Sequence, residues 1–164
     1  MADNLDVPAF GFTGGIHEGV PVESDKLEDC IKFYVDVLGL KVLPRPPALD
    51  KLGPGAWLGD EDDNVQFHLI ANDYCALPEM HDRIEPDGRH TALRIKDVDA
   101  FRARMDALGI EYGELASLIG EPQLFVKDPQ GHVWEFQGPP GSNAAAEPHN
   151  SILRIQGKDL GLPE

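Results

Sequence analysis

The chain has 164 residues, which suits one domain or two small modules sharing a core. Its 29 acidic residues against 14 Lys and Arg give a formal charge of −15, which repels nucleic acid and anionic membrane. No apolar run approaches the ~20 residues that span a bilayer, the N-terminus lacks the basic-then-apolar pattern of a signal peptide, and two cysteines, Cys30 and Cys75, are too few for a disulfide framework, so a reduced cytoplasm is the expected home.

Residues 1–15 are polar and weakly patterned and read as an N-terminal arm. Ile16–Glu23 alternates as a strand, with His17, Gly19 and Pro21 on one face and Ile16, Glu18, Val20 and Val22 on the other. Asp25–Leu38 reads as a helix. Asp25 and Glu28 form a capping-box-like pair, Leu27, Ile31, Tyr34 and Leu38 make one apolar stripe, and Gly39 stands at the usual stop. Cys30 borders that stripe and reads as a buried thiol. Leu40–Leu43 is a short strand, and the Pro/Gly-rich Pro44–Gly55 is a connection or a lid. Ala56–Gly59 and Val65–Ile70 are strands around an acidic turn, the second with Gln66, His68 and Ile70 on one face.

Asn72–Arg89 is a polar linker that holds His81. In His90–Lys96 alternation resumes, with His90, Ala92 and Arg94 on one face. Asp97 caps a second helix striped by Val98, Phe101, Met105 and Leu108 and stopped by Gly109. Ile110–Tyr112 opens the next strand and Glu114–Gly120 a loop. Gln123–Gly138 is a hairpin around the turn Asp128-Pro129-Gln130-Gly131. Its second strand sends Trp134 and Phe136 to one face and Val133, Glu135 and Gln137 to the other. A carboxylate among large apolar groups needs a partner or water. Alone, Glu135 is an ordinary solvated strand position; three histidines at comparable strand positions give it a second reading. After Gly138 the pattern decays into a flexible tail, with a brief alternation at Ser151–Ile155 that could dock as a strand or a dimer arm, and His149 has no assigned role.

The order strand–helix–strand–strand–strand occurs twice, in residues 16–71 and 90–138, joined by 72–89 and followed by the tail 139–164. The expected fold is α+β: two paired βαβββ modules forming a curved mixed sheet around a metal-binding cleft. Its exposed sheet edges call for cover, so a homodimer is expected. The strings HEGVPV, FYVDVLGL, GAWL, QFHLI, RHTALRIKDVD and VKDPQGHVWE, in that order between Ile16 and Gly138, resemble the vicinal oxygen chelate superfamily, which includes glyoxalases, bleomycin-binding proteins and extradiol dioxygenases.

That resemblance implies ligands from the first and last strands of each module: His17, His68, His90 and Glu135. Three imidazoles and a carboxylate suit one divalent ion per chain, Zn, Fe, Ni, Co or Mn. The resemblance implies a glyoxalase-like lyase or isomerase acting on a small chelating oxygen substrate through an enediolate-type intermediate, with Glu135 as base. The first alternative is an Fe(II) extradiol-type dioxygenase for a phenol or catechol, with His17, His90 and Glu135 as its triad and His68 off the metal as acid/base. The second is a drug-binding resistance protein. Arg94, Gln66, Trp57 and Phe125 are the expected substrate contacts.

Overall fold

The computed structural model describes residues 15–62, 64–115, 121–145 and 148–160. Nearly all of the expected N-terminal arm therefore lies outside the described residues. The first module contains β1 (Glu18–Val22), α1 (Leu27–Lys32), β2 (Lys41–Leu43), β3 (Gly55–Gly59) and β4 (Gln66–Ala71). The second contains β5 (His90–Arg94), α2 (Val98–Leu108), β6 (Gly113–Leu115), β7 (Gln123–Lys127) and β8 (Val133–Gln137). Each module builds a four-stranded mixed sheet of the same topology, β1-β4-β3-β2 and β5-β8-β7-β6. In each, the first strand runs parallel to the last and the other pairs are antiparallel. The α+β fold of two βαβββ modules is thus present.

The first helix differs from the uniform α-helix expected over 25–38. A 3₁₀ turn at Ser24–Lys26 leads into α1, and a π segment follows at Phe33–Val37. The capping box does not form, because Asp25 lies inside the 3₁₀ turn rather than before the helix. Tertiary bonds hold the entry instead: Glu23 N donates to Gln130 Oε1 at 2.8 Å and Ser24 N to Asp73 Oδ1 at 2.7 Å. The wide π turn, in which Leu38 N donates to the Phe33 carbonyl, brings Phe33, Tyr34 and Val37 together into the interior. Gly39 then takes a positive φ of 76° that closes the helix. The second helix follows expectation: Asp97 accepts from Ala100 N at 2.9 Å, and Gly109 adopts the left-handed conformation.

Both modules contribute to one apolar core, made from α1 and its π extension, α2, and one face of each sheet. Tyr34 meets Phe67 of β4 and Trp134 of β8 edge-on, with ring centroids 5.4 and 5.8 Å apart. Its hydroxyl donates to buried Asp128 at 3.0 Å. Arg104 of α2 donates to the Asp36 and Val37 carbonyls at the end of the first helix, where a cation is favoured.

Two expectations near the chain's end change. The strand expected at Ile110–Tyr112 begins later, at Gly113. The tail is not loose over residues 148–160. It folds back as a small hairpin, β9 (Arg154–Ile155) and β10 (Lys158–Asp159), and packs with Ile84 of the linker and Phe125 of β7 in a second apolar cluster. Alternation along the chain carries no information about such a long-range contact. Fully buried Glu114 fastens the tail's start: it accepts from Arg102 at 2.6 and 2.9 Å and from Ala145 N at 2.9 Å. Cys30 is buried, as expected, and burial pushes its thiol up to about 12.

Candidate functional site

Alternation on each sheet sends one set of side chains into the shared core and leaves the other on the opposite face. On the first sheet Val20, Val22, Leu58, Phe67 and Leu69 are core residues. His68 points away from them. Its ring stacks on His17 at 3.8 Å and on Trp57 at 4.1 Å, so His17, His68 and Trp57 form one ladder of rings. Trp57 is the direct neighbour of His68 across the β3–β4 pair. Burial, and then the adjacent His17, lower the His68 pKa, which favours a neutral ring with a free lone pair. Gln66, on the same face, has its Oε1 3.4 Å from His68 Nε2.

On the second sheet Trp134 and Phe136 enter the core, so Glu135 faces the other way. His90 Nε2 lies 3.0 Å from Glu135 Oε2. Gln123 of β7 donates from Nε2 to Glu135 Oε1 at 2.7 Å. His90 Nδ1 donates to the Gly88 carbonyl at 3.0 Å, which places the proton on Nδ1 and leaves Nε2 as the lone-pair nitrogen. That lone pair and a carboxylate oxygen then face each other at 3.0 Å, an arrangement that requires a positive charge between or upon them. A proton on Nε2 is one solution. A divalent ion is the other: with bond lengths of ~2.1 Å to each atom, two adjacent ligands of one ion stand about this far apart. The donor chemistry of the pair therefore fits a metal.

The structure brings the expected ligands together as two pairs, His17 with His68 and His90 with Glu135. Among the described residues no three His, Cys, Asp or Glu side chains gather closely enough in one chain to hold an ion. Of the expected substrate contacts, Trp57 stacks on His68, and Gln66 lies beside it. Arg94 is exposed, two residues along the His90 row and opposite Gln137. Phe125 pairs with Glu135 in register and approaches His90 edge-on, at 6.2 Å, but is almost fully covered by the tail.

Sequence reasoning missed Gln123 and His132. The signal for Gln123 was an amide on the strand next to Glu135, within diagonal reach on the same face. For His132 it was its place directly after the Asp128 turn: its Nδ1 lies 3.0 Å from buried Asp128 Oδ2, and its ring helps line a cavity of about 310 Å³ shared with Glu18, Pro21, Arg89, His90 and Trp134.

The repeated βαβββ topology is that of the vicinal oxygen chelate proteins. A match to the Glyoxalase/Bleomycin resistance protein/Dioxygenase superfamily spans residues 22–136, and the chain belongs to that superfamily. No curated protein matches the sequence. Among solved structures, a glyoxalase family protein from Bacillus anthracis is 24% identical, with a TM-score of 0.62 over 78% of this chain and 97% of its own. An antibiotic-binding protein from a Streptomyces species is 21% identical, with a TM-score of 0.62 over 80% of this chain and 99% of its own. A mutant fosfomycin resistance protein from Listeria monocytogenes, complexed with Mn(II) and a dihydroxypropylphosphonic acid, is 21% identical, with a TM-score of 0.60 over 78% of this chain and 93% of its own. These likenesses are of fold.

Proposed function

We propose that the protein is a divalent-metal-dependent lyase or isomerase of the glyoxalase type, and that its site is completed between two copies of the chain. The observation that supports this most is the His90–Glu135 pair: a lone-pair nitrogen and a carboxylate oxygen at 3.0 Å, each held by a further hydrogen bond. The His17–His68 pair supplies the other two ligands. In one chain both helices and the inner faces of both sheets are used in a common core, and the two ligand pairs occupy the opposite faces. A homodimer that sets the first-module pair of one copy against the second-module pair of the other assembles four ligands twice, one ion per chain.

A bound divalent ion supplies Lewis-acid polarisation of a substrate carbonyl. The chain's residues do the rest. Glu135 would leave the ion, take a proton from the carbon beside that carbonyl onto Oε2 and return it to the carbonyl carbon, while the hydroxyl proton passes between the two substrate oxygens, a redox-neutral transfer. Gln123, bonded to Oε1, keeps the carboxylate aimed while Oε2 gains and loses the proton. Trp57 fixes the His68 ring by stacking. Arg94, exposed on the His90 row, offers a charge for an anionic substrate group.

The test is metal analysis of protein purified without chelator, alongside the Glu135→Gln variant. The proposal expects Zn, Ni, Co or Mn at about one ion per chain. It expects Glu135→Gln to lower occupancy by a few-fold and deuterium exchange at the substrate α-carbon by at least about 100-fold. Iron with oxygen uptake on a catechol would replace this reading with the dioxygenase. No metal, with tight binding of an aromatic antibiotic, would replace it with a binding protein.

A further inference from the structure

The cavity of about 310 Å³ beside His132 has no part in the chemistry assigned above, apart from one lining position at His90. It lies between β1 and β5, the end strands of the two sheets, so both modules line it. Ala76, Leu77 and Pro78 of the linker complete the lining. The linker is fastened there. Lys127 donates to the His81 and Arg83 carbonyls, and a Cβ added at Gly131 would lie 2.6 Å from Met80 Sδ, so the linker packs on the turn that carries His132. The volume stands at the small end of the range of about 300–1,000 Å³ found for small-molecule sites.

Three polar side chains of the lining have bonding capacity left. Glu18, at the start of β1, and Arg89, just before β5, make no side-chain hydrogen bond or ion pair with each other or with any described residue. An acid and a base in one small cavity, set beyond ion-pair contact, leave room for a bridging molecule. His132 is the third. Its backbone N–H donates to Asp128 Oδ1 at 2.9 Å, and its Nδ1 donates to Asp128 Oδ2 at 3.0 Å. Asp128 is buried and accepts also from Tyr34 and from Gln130 N, so the ring is held in one orientation. The proton then sits on Nδ1, and Nε2 remains an acceptor with no described partner.

Two acceptors, one guanidinium and apolar surroundings match one kind of molecule. An ammonium uses the acceptors, and a carboxylate fits the guanidinium fork. We propose that the cavity binds a small zwitterion, an α-amino acid with an apolar side chain. Its carboxylate pairs with Arg89, its ammonium with Glu18 and His132 Nε2, and its side chain rests against Val20, Leu77 and Trp134. A plain anion meets Glu18 and a plain cation meets Arg89, so a single charge fits less well. The site does not depend on a metal at His90 and Glu135.

The test uses the full chain, as purified and after treatment with chelator, and three probes with the same branched tail. These are leucine, 4-methylpentanoate, which lacks the ammonium, and 3-methylbutylamine, which lacks the carboxylate. Binding is read from amide shifts of ¹⁵N-labelled wild type, Arg89→Ala and Glu18→Gln. Neither side chain has a partner in the fold, so both variants are expected to keep wild-type circular dichroism. Leucine is expected to bind at least about ten-fold more tightly than either analogue. Arg89→Ala is expected to weaken leucine and 4-methylpentanoate by about ten-fold and not to weaken 3-methylbutylamine. Glu18→Gln is expected to weaken leucine and 3-methylbutylamine by about ten-fold and not to weaken 4-methylpentanoate. No shifts with leucine up to about 10 mM would overturn the site, as would a leucine affinity equal in all three proteins. Equal binding of leucine and either analogue would overturn the zwitterion. Leucine binding that vanishes in chelator-treated, still folded protein is chelation of the ion and would overturn it too.

Discussion

At the scale of single residues, the proposed chemistry rests on Glu135, and its neighbours set what it could do. Gln123 donates to one carboxylate oxygen and His90 faces the other, so each oxygen has a separate task. Gln123→Ala is expected to leave the fold and most of the metal in place and to lower turnover by about ten-fold, a modest loss because the carboxylate keeps its charge and loses only its aim. Metal content and rate measured on the same sample check this. His81→Ala is expected to leave metal occupancy unchanged, since that ring is a surface loop residue beside Glu79. Cys30 carries a pH prediction. Its folded-state value is raised from the ordinary 9.0 to about 12 by burial. The folded protein therefore resists losing this proton. The thiol leaves stability untouched below about pH 9 and lowers it as pH rises from 9 toward 12, because unfolding then releases a proton. Denaturant midpoints for wild type and Cys30→Ala should converge across that range. The outward facing of His68, His90 and Glu135 was legible because each alternates with apolar residues along its strand, while His17 lies just before β1. Gln123 and His132 were not, because their roles depend on the strand or turn beside them.

At the scale of elements, the turn Asp128–Gly131 does more than reverse the chain. Buried Asp128 accepts from Tyr34 of the first module and from the backbone N–H groups of Gln130 and His132. It ties the π segment of one module to the hairpin that carries Glu135 in the other. Tyr34→Phe removes one donor from that carboxylate and is expected to cost about 1–3 kcal/mol, read from urea unfolding. The C-terminal hairpin makes a second long-range tie. Gly113→Ala pushes a methyl into Leu153 and is expected to lower the melting temperature, whereas Gly157→Ala meets no atom and costs only the strain of a positive φ of 75°, a smaller loss. Strands and helices were readable from periodicity to within a few residues. The π turn and the docked tail were not, since both are settled by packing between segments far apart in sequence.

For the whole molecule, the question is how two ligand pairs on outward faces become one site. The repeat was visible in the sequence as two strand–helix–strand–strand–strand runs, and the family resemblance implied the four proposed ligands. The sequence led to the expectation of all four on one ion within one chain; because both halves carry the same pattern, periodicity could not tell such a site from one between chains. The described structure uses the inner faces of both modules in one core and leaves the pairs apart. Light scattering is expected to give a homodimer. The direct test is subunit mixing. One variant carries His17→Ala and His68→Ala; the other carries His90→Ala and Glu135→Gln. Each alone should bind almost no metal. Unfolded together and refolded as a mixture, half of the dimers should pair unlike chains, and each of these has one intact site, so about a quarter of the sites should regain metal and activity. No recovery in a mixture shown to contain mixed dimers would contradict a site shared between chains.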